Sequence, residues 1–100
     1  MTPAMGWDQA GDDFYIWLDS ALCDLSQAAS AVASYRVTGQ TRTIVPDLVT
    51  YGGYPRLRVT VGQQALPNGV EVEFWVGVTM QDNSVVRVPE TGTISIRVYR

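Results

Sequence analysis

Apolar and polar residues alternate most regularly between Val70 and Met80. The apolar members of this stretch are Val70, Val72, Phe74, Val76, Val78 and Met80. A period of two predicts a β-strand that buries one face. The opposite face carries Glu71, Glu73 and Trp75, and the large indole on that face needs a cover of its own.

A second apolar pattern runs through residues 12–35 at a helical spacing. Its members are Phe14, Trp17, Leu18, Ala21, Leu22, Leu25, Ala28, Ala29 and Val32. The spacing predicts one amphipathic helix, with Asp12 and Asp13 placed to cap its first turn. Ile16 does not fit, because on a helix it projects near Cys23 on the polar side. It is either a single exposed apolar residue or part of a contact patch.

The rest of the chain reads as short strands separated by turns. Strands are predicted over residues 40–45, 56–62, 85–88 and 93–99, besides the strand at 70–80. Gly52-Gly53, flanked by Tyr51 and Tyr54, predicts a hairpin turn or an adaptable binding tip. The strand at 56–62 is expected to lie antiparallel beside the strand at 70–80.

These elements predict an α+β fold in a single domain over residues 1–100. An irregular N-terminal arm (1–11) is followed by the helix (12–35) and an antiparallel meander (40–100). The helix is expected to pack on a four- to five-stranded antiparallel sheet. The alternative is a small β-sandwich or barrel with one helix, which the closely spaced turns also favour.

Charge narrows the classes of partner. The 100 residues carry a net charge of −3, with 7 cationic and 10 acidic side chains. Nucleic acids and anionic membrane surfaces attract clustered positive charge, so neither is expected as a partner. No apolar run is long enough for a membrane span. Cys23 is the only cysteine, so no intramolecular disulfide forms, and a cytoplasmic location is expected, or a virion for a phage structural protein.

Most catalytic chemistry lacks its usual residues, because the chain has no histidine and no lysine. Cys23 therefore has no imidazole to activate it. Glu71 and Glu73 share one strand face, but arginines on neighbouring strands are expected to pair with them, either Arg56 and Arg58 or, on a later strand, Arg87 or Arg97. We therefore expect no enzymatic activity, no cofactor, no metal site and no small-molecule substrate.

The aromatic residues indicate candidate contact surfaces. Trp75 is expected at the centre of the outer sheet face, near Arg58, Thr60, Thr79, Arg97 and Tyr99. A loop of the same chain, a second copy or another protein would have to cover it. Trp7 either caps the core of its own domain or inserts into a partner. The predicted interface residues are Trp7, Ile16, Tyr51, Tyr54, Arg58, Trp75, Arg97 and Tyr99.

These features predict a non-catalytic protein–protein interaction or assembly module that binds a protein partner or itself. Its most specific form is a small structural subunit of a larger assembly, such as a bacteriophage particle. The alternative is an immunity or anti-defence inhibitor that binds a basic protein surface. In that case the acidic helix face of Asp13, Asp19 and Asp24 would make the contact.

Overall fold

The computed structural model describes residues 4–99, and these residues form antiparallel β-strands without any α-helix. The strands are β1 (Met5–Ala10), β2 (Asp13–Leu18), β3 (Ala28–Val37), β4 (Gln40–Ile44), β5 (Asp47–Tyr51), β6 (Tyr54–Thr60), β7 (Glu71–Met80), β8 (Val85–Val88) and β9 (Ile94–Arg97), with a 3₁₀ turn at Leu25–Gln27. The predicted α+β fold is therefore wrong. The helix in its sandwich alternative is wrong as well.

The strands form two sheets. Sheet I has the order β1-β2-β6-β5, and sheet II has the order β4-β3-β7-β8. Strand β9 also pairs with β7, on residues Glu71 to Phe74, while β8 pairs with Val76 to Thr79. The consecutive strands β6 and β7 thus lie in different sheets, so the predicted meander and the predicted pairing of 56–62 with 70–80 are wrong.

The core lies between the inner faces of the two sheets. Sheet I contributes Phe14, Ile16, Leu57 and Val59, and sheet II contributes Val72, Phe74, Val76 and Val78. Trp7 joins them, because its ring stacks on Phe74 at 4.7 Å and lies 4.6 Å from the ring of Phe14. Burying each such side chain contributes about 1.5–3 kcal/mol. The inner face predicted for β7 is confirmed.

Strand β2 replaces the first half of the predicted helix. Phe14, Ile16 and Leu18 are buried, while the residues between them are half-buried on the other face. Ile16, which did not fit the helical pattern, is only 2% exposed. The region predicted as an irregular arm also contains a strand, β1, which pairs with β2 from Met5 to Ala10. Residues 1–3 of that arm lie outside the described residues.

Strand β3 replaces the second half of the predicted helix. Its register against β7 shifts between Ala28 and Ser30, as at a β-bulge. The shift leaves Ala28 and Ala31 both buried, although they are three residues apart. Of the helical stripe predicted in this segment, only Ala28 is buried, while Ala29 and Val32 are exposed, so the stripe does not mark the buried face.

Candidate functional site

The outer face of sheet I gathers aromatic and cationic side chains from three strands. Because Phe14 and Ile16 point inward, Tyr15 and Trp17 of β2 point outward. Strands β5 and β6 add to the same face by the same alternation. We define the tyrosine–arginine face as Tyr15, Trp17, Tyr51, Tyr54, Arg56 and Arg58.

Tyrosine stacking organises this face. The rings of Tyr15 and Tyr51 are parallel within 5°, with their centroids 3.9 Å apart. Tyr51 is paired with Tyr54 across the two-residue turn Gly52-Gly53, which confirms the predicted hairpin turn. Both glycines have positive φ, 61° and 84°, as such a turn requires. Tyr54 is 63% exposed, so most of its surface faces solvent.

Arg56 is already partly withdrawn from water. Its Cζ lies 5.3 Å from the centroid of the Tyr54 ring, and its Nη1 donates to the carbonyl of Pro55 at 3.2 Å. Within residues 4–99, its buried Nε has no hydrogen-bond partner. A guanidinium held over an aromatic face binds that face more strongly when it is desolvated. The Tyr54 ring and the Pro55 carbonyl are therefore the contacts that hold the Arg56 guanidinium.

Arg58 is paired within the same sheet. Its Nη2 donates to Oδ2 of Asp47 at 3.1 Å, and both side chains are substantially exposed. The hydrogen bond to Asp47 raises the pKa of the Arg58 guanidinium, and the charge of Asp47 acts in the same direction. Two residues further along β6, the hydroxyl of Thr60 donates to Oδ1 of Asp13 at 2.6 Å. The face thus has an aromatic centre and a rim of both charges.

Trp17 lies flat against the neighbouring strand. It is paired with Gly6 of β1, and a Cβ atom at position 6 would lie 2.6 Å from Cζ2 of the indole. Glycine is required there because any larger residue would displace the ring. This contact holds the indole down on the face rather than leaving it free in solvent.

Trp75 lies on the outer face of sheet II, where its own chain partly covers it. Cζ of Arg87 lies 5.6 Å from the ring centroid. Arg87 is held in place because its two Nη atoms donate to the carbonyls of Pro89 and Gly92, at 2.7 and 2.8 Å. Arg58 and Thr60, which were expected beside Trp75, belong to sheet I instead.

One predicted arginine, Arg97, lies beside the glutamates of β7, whereas Arg56 and Arg58 do not. Glu73 accepts a hydrogen bond from Nε of Arg36 at 2.7 Å and forms a salt bridge with that residue. Glu71 lies opposite Arg97 in the pairing of β7 with β9. Arg56 and Arg58 lie in the other sheet, so the predicted cross-strand pairs with them are wrong.

The remaining predicted contact residues are scattered. Trp7 and Ile16 belong to the core, and Tyr99 is 72% exposed beyond the end of β9. Arg97 lies on sheet II, where its Nη1 donates to the carbonyl of Gly69 at 3.4 Å. The structure therefore brings together Tyr51, Tyr54 and Arg58 and leaves the other five apart from them.

The predicted acidic helix face does not exist, since its helix does not form. Asp19 accepts the N–H of Ala21 at 3.0 Å in the loop after β2. Asp24 caps the 3₁₀ turn by accepting the N–H and the hydroxyl of Ser26, and these hydrogen bonds lower the pKa of Asp24. Asp13 is bound to Thr60 on sheet I. The three carboxylates stabilise separate local structures.

Cys23 is buried at the end of the same loop, only 3% exposed, with its Sγ 3.8 Å from Sδ of Met80. Burial raises the pKa of the Cys23 thiol, and the charge of Asp24 adds to this effect. A thiol that is buried and protonated is a packing residue rather than a nucleophile.

Residues 4–99 contain no group of three or more metal-ligating side chains close enough to hold an ion. No helix within these residues has the length and apolar character needed to span a membrane. Comparison of the chain with protein-family models, with curated proteins and with solved structures finds no match.

Three members of the tyrosine–arginine face were not in the predicted interface. Tyr15 and Trp17 were missed because the helical interpretation separated them, although they are two residues apart and share a strand face. Arg56 was assigned to an ion pair with a glutamate. Reading Asp13–Leu18 as an alternating strand would have placed Tyr15 and Trp17 together.

Proposed function

We propose that this protein is a non-catalytic protein–protein interaction module that binds its partner through the tyrosine–arginine face. The observation that carries the proposal is the collection of four aromatic rings and two arginines on one outer sheet face. Tyrosine, tryptophan and arginine are the residues most enriched where binding energy concentrates in protein interfaces.

The arrangement of the face also suits this role. Its centre is aromatic, while Asp47, Arg58 and Asp13 surround it with charges already paired or hydrogen-bonded. A desolvated apolar centre with a polar rim is the usual anatomy of a protein interface. The stacking of Tyr15 on Tyr51 and the fixed position of Trp17 reduce the entropy lost on binding, which favours affinity.

A more specific form of the proposal is a small structural subunit of a larger assembly, such as a bacteriophage particle. Its support is that aromatic and arginine side chains lie on both outer faces of the sandwich. Tyr54 and Arg56 lie on sheet I, and Trp75 and Arg87 lie on sheet II. A subunit with contact surfaces on opposite sides can have a neighbour on each side.

The geometry does not favour inhibition of a basic protein surface. That function depended on an acidic face formed by a helix, and no described residue is α-helical. Asp13, Asp19 and Asp24 instead bind neighbouring backbone or hydroxyl groups.

The test is affinity capture of a binding protein by three forms of the chain. Tyr54 and Tyr99 are both highly exposed, at 63% and 72%, but only Tyr54 belongs to the face. We expect a protein that the wild type and Tyr99→Ser capture equally and that Tyr54→Ser fails to capture. A captured protein that Tyr54→Ser retains at the wild-type level would refute the assignment of this face.

A further inference from the structure

Strand β5 is an edge strand of sheet I and leaves backbone groups directed away from the sheet. Its Thr50 lies opposite Pro55, which has no N–H, so the two residues cannot exchange hydrogen bonds. Hydrogen-bonded and non-bonded pairs alternate in an antiparallel ladder. Thr50 and Leu48 therefore direct their N–H and C=O groups outward, where they are available to another strand.

Strand β5 also lacks the protection that the other edge strands carry. Proteins commonly place a charged residue within an edge strand, which discourages pairing with another chain. Asp8 of β1, Arg42 of β4, Arg87 of β8 and Arg97 of β9 fit this description. The only charge in β5 is Asp47, at its first residue, and that charge is paired with Arg58.

Apolar surface accompanies this open edge. Leu48 is 43% exposed although it alternates toward the inner side, and Val45 just before β5 is 77% exposed. A strand added beside β5 would cover part of both side chains. Each Å² of apolar surface removed from water contributes about 25 cal/mol, so the edge gains apolar contact as well as hydrogen bonds.

We propose that a second copy of this chain pairs with β5 in an antiparallel arrangement, with a two-fold axis at Val49. Leu48 of one copy then exchanges two hydrogen bonds with Thr50 of the other, and the symmetric pair does the same. Sheet I becomes a continuous eight-stranded sheet across the dimer. The inference goes beyond the proposed function, because it uses a strand edge rather than the tyrosine–arginine face.

The residues that meet in this register are compatible. Val49 faces Val49, and Asp47 faces Tyr51, so no like charges are opposed. The same arrangement on strand β4 would centre on Arg42 and place two arginines opposite each other, which destabilises a strand pair. The sequence therefore selects β5 over β4, and it favours a closed dimer over an open array.

The first test is the solution mass by light scattering over a concentration series. The wild type is expected to approach twice the 11.0 kDa mass of one chain. Thr50→Pro removes an outward N–H and should raise the dissociation constant at least tenfold, because proline is tolerated on an edge but blocks pairing. Thr43→Pro is the matched control on β4. Val37 and Gln40 form the hydrogen-bonded pair that closes the turn between β3 and β4, and bonded and non-bonded pairs alternate from there. Thr43 therefore also directs its backbone N–H and C=O groups outward.

The second test does not depend on a proline. Residues facing each other in a non-hydrogen-bonded antiparallel pair have Cα atoms about 4.5 Å apart, within reach of a disulfide. Val49→Cys should therefore give a disulfide-linked dimer on mild oxidation, whereas Arg42→Cys on β4 should not. Cys23 is buried and should not interfere.

A wild type that stays at the mass of one chain at millimolar concentration would overturn the proposal. Equal dimerisation of Thr50→Pro and the wild type would also overturn it, as would equal cross-linking of the two cysteine variants. Tyr54→Ser should dimerise normally, so failure of the dimer and failure of the tyrosine–arginine face are separate results.

Discussion

Trp17 and Gly6 are complementary neighbours on the outer face of sheet I, where the indole occupies the space that a Cβ atom at position 6 would need. That Cβ would lie 2.6 Å from Cζ2 of Trp17, too close for a non-bonded contact. The pair links the strand pairing of β1 and β2 to the shape of the tyrosine–arginine face. A change at position 6 should therefore affect both stability and binding.

We expect Gly6→Ala to destabilise the fold by about 1–3 kcal/mol, the usual cost of overpacking. Chemical denaturation followed by circular dichroism measures this free energy of unfolding. Gly77→Ala is the control, because Gly77 is also in a strand but a Cβ there meets no atom within 4 Å. Equal effects of the two substitutions would contradict the contact with Trp17.

Phe74 tests the packing of the two sheets. It is 2% exposed and stacks on Trp7 of the opposite sheet. Phe74→Ala should cost about 3–5 kcal/mol, because it removes a buried ring and leaves a cavity. Val85→Ala, at a side chain that is 73% exposed, should change the free energy of unfolding by less than about 0.5 kcal/mol. A mild effect at Phe74 would argue against a shared core.

Asp24 and Asp82 give the protein a specific acid sensitivity. Hydrogen bonds from Ser26 and Ser84, respectively, lower the pKa values of these carboxyls below those of the unfolded chain. The stability they contribute is therefore present above the unfolded-state pKa and is lost as the pH falls through the folded-state pKa. The free energy of unfolding should drop as the pH falls below about 4.

The matched variant for this effect is Asp24→Asn combined with Asp82→Asn. Asparagine keeps an acceptor oxygen for the serine N–H but does not titrate in this range. The double variant should show a shallower loss of stability between about pH 4 and pH 2 than the wild type. An identical pH profile would show that these two caps do not contribute to the acid response.

The Cys23 thiol should be protected in the folded protein. It is buried, and its raised pKa keeps it protonated. We expect alkylation by iodoacetamide at pH 8 to be at least tenfold slower in buffer than in denaturing urea. Native labelling as fast as in urea would contradict the packing of Cys23 against Met80.

The sequence was sufficient to predict β7, because its residues alternate over the whole strand and its inner side chains are all apolar. The hairpin at Gly52-Gly53 was also predictable, since few residue pairs accept two positive φ values. These two elements depend on local chemistry alone, which explains why they could be predicted without knowledge of the sheets.

The helix could not be excluded by the same method. Phe14, Trp17 and Leu18 satisfy a helical period, while Phe14, Ile16 and Leu18 satisfy a strand period, and the choice depends on what covers them. In β3 the helical pattern relied on Ala29 and Val32, and both are exposed. The choice between helix and strand is decided by the pairing of these segments with β1, β6 and β7. A short stretch of sequence does not reveal such tertiary pairing.

The incomplete prediction of the tyrosine–arginine face follows from this wrong helix. With residues 13–18 taken as helix, Tyr15 and Trp17 had no reason to lie beside Tyr51, which comes more than thirty residues later. The separation of β6 from β7 moved Arg58 away from Trp75 in the same way. Residue types indicated an aromatic and arginine surface, but sheet membership decides which residues form it.

The most direct test of the proposed function is the affinity of the captured partner for the chain, measured by titration calorimetry. Tyr54→Ser should raise the dissociation constant at least tenfold, the effect of losing about 1.4 kcal/mol at an interface hot spot. Tyr99→Ser should leave it within twofold. Equal weakening by both substitutions, or none by Tyr54→Ser, would contradict binding through the tyrosine–arginine face.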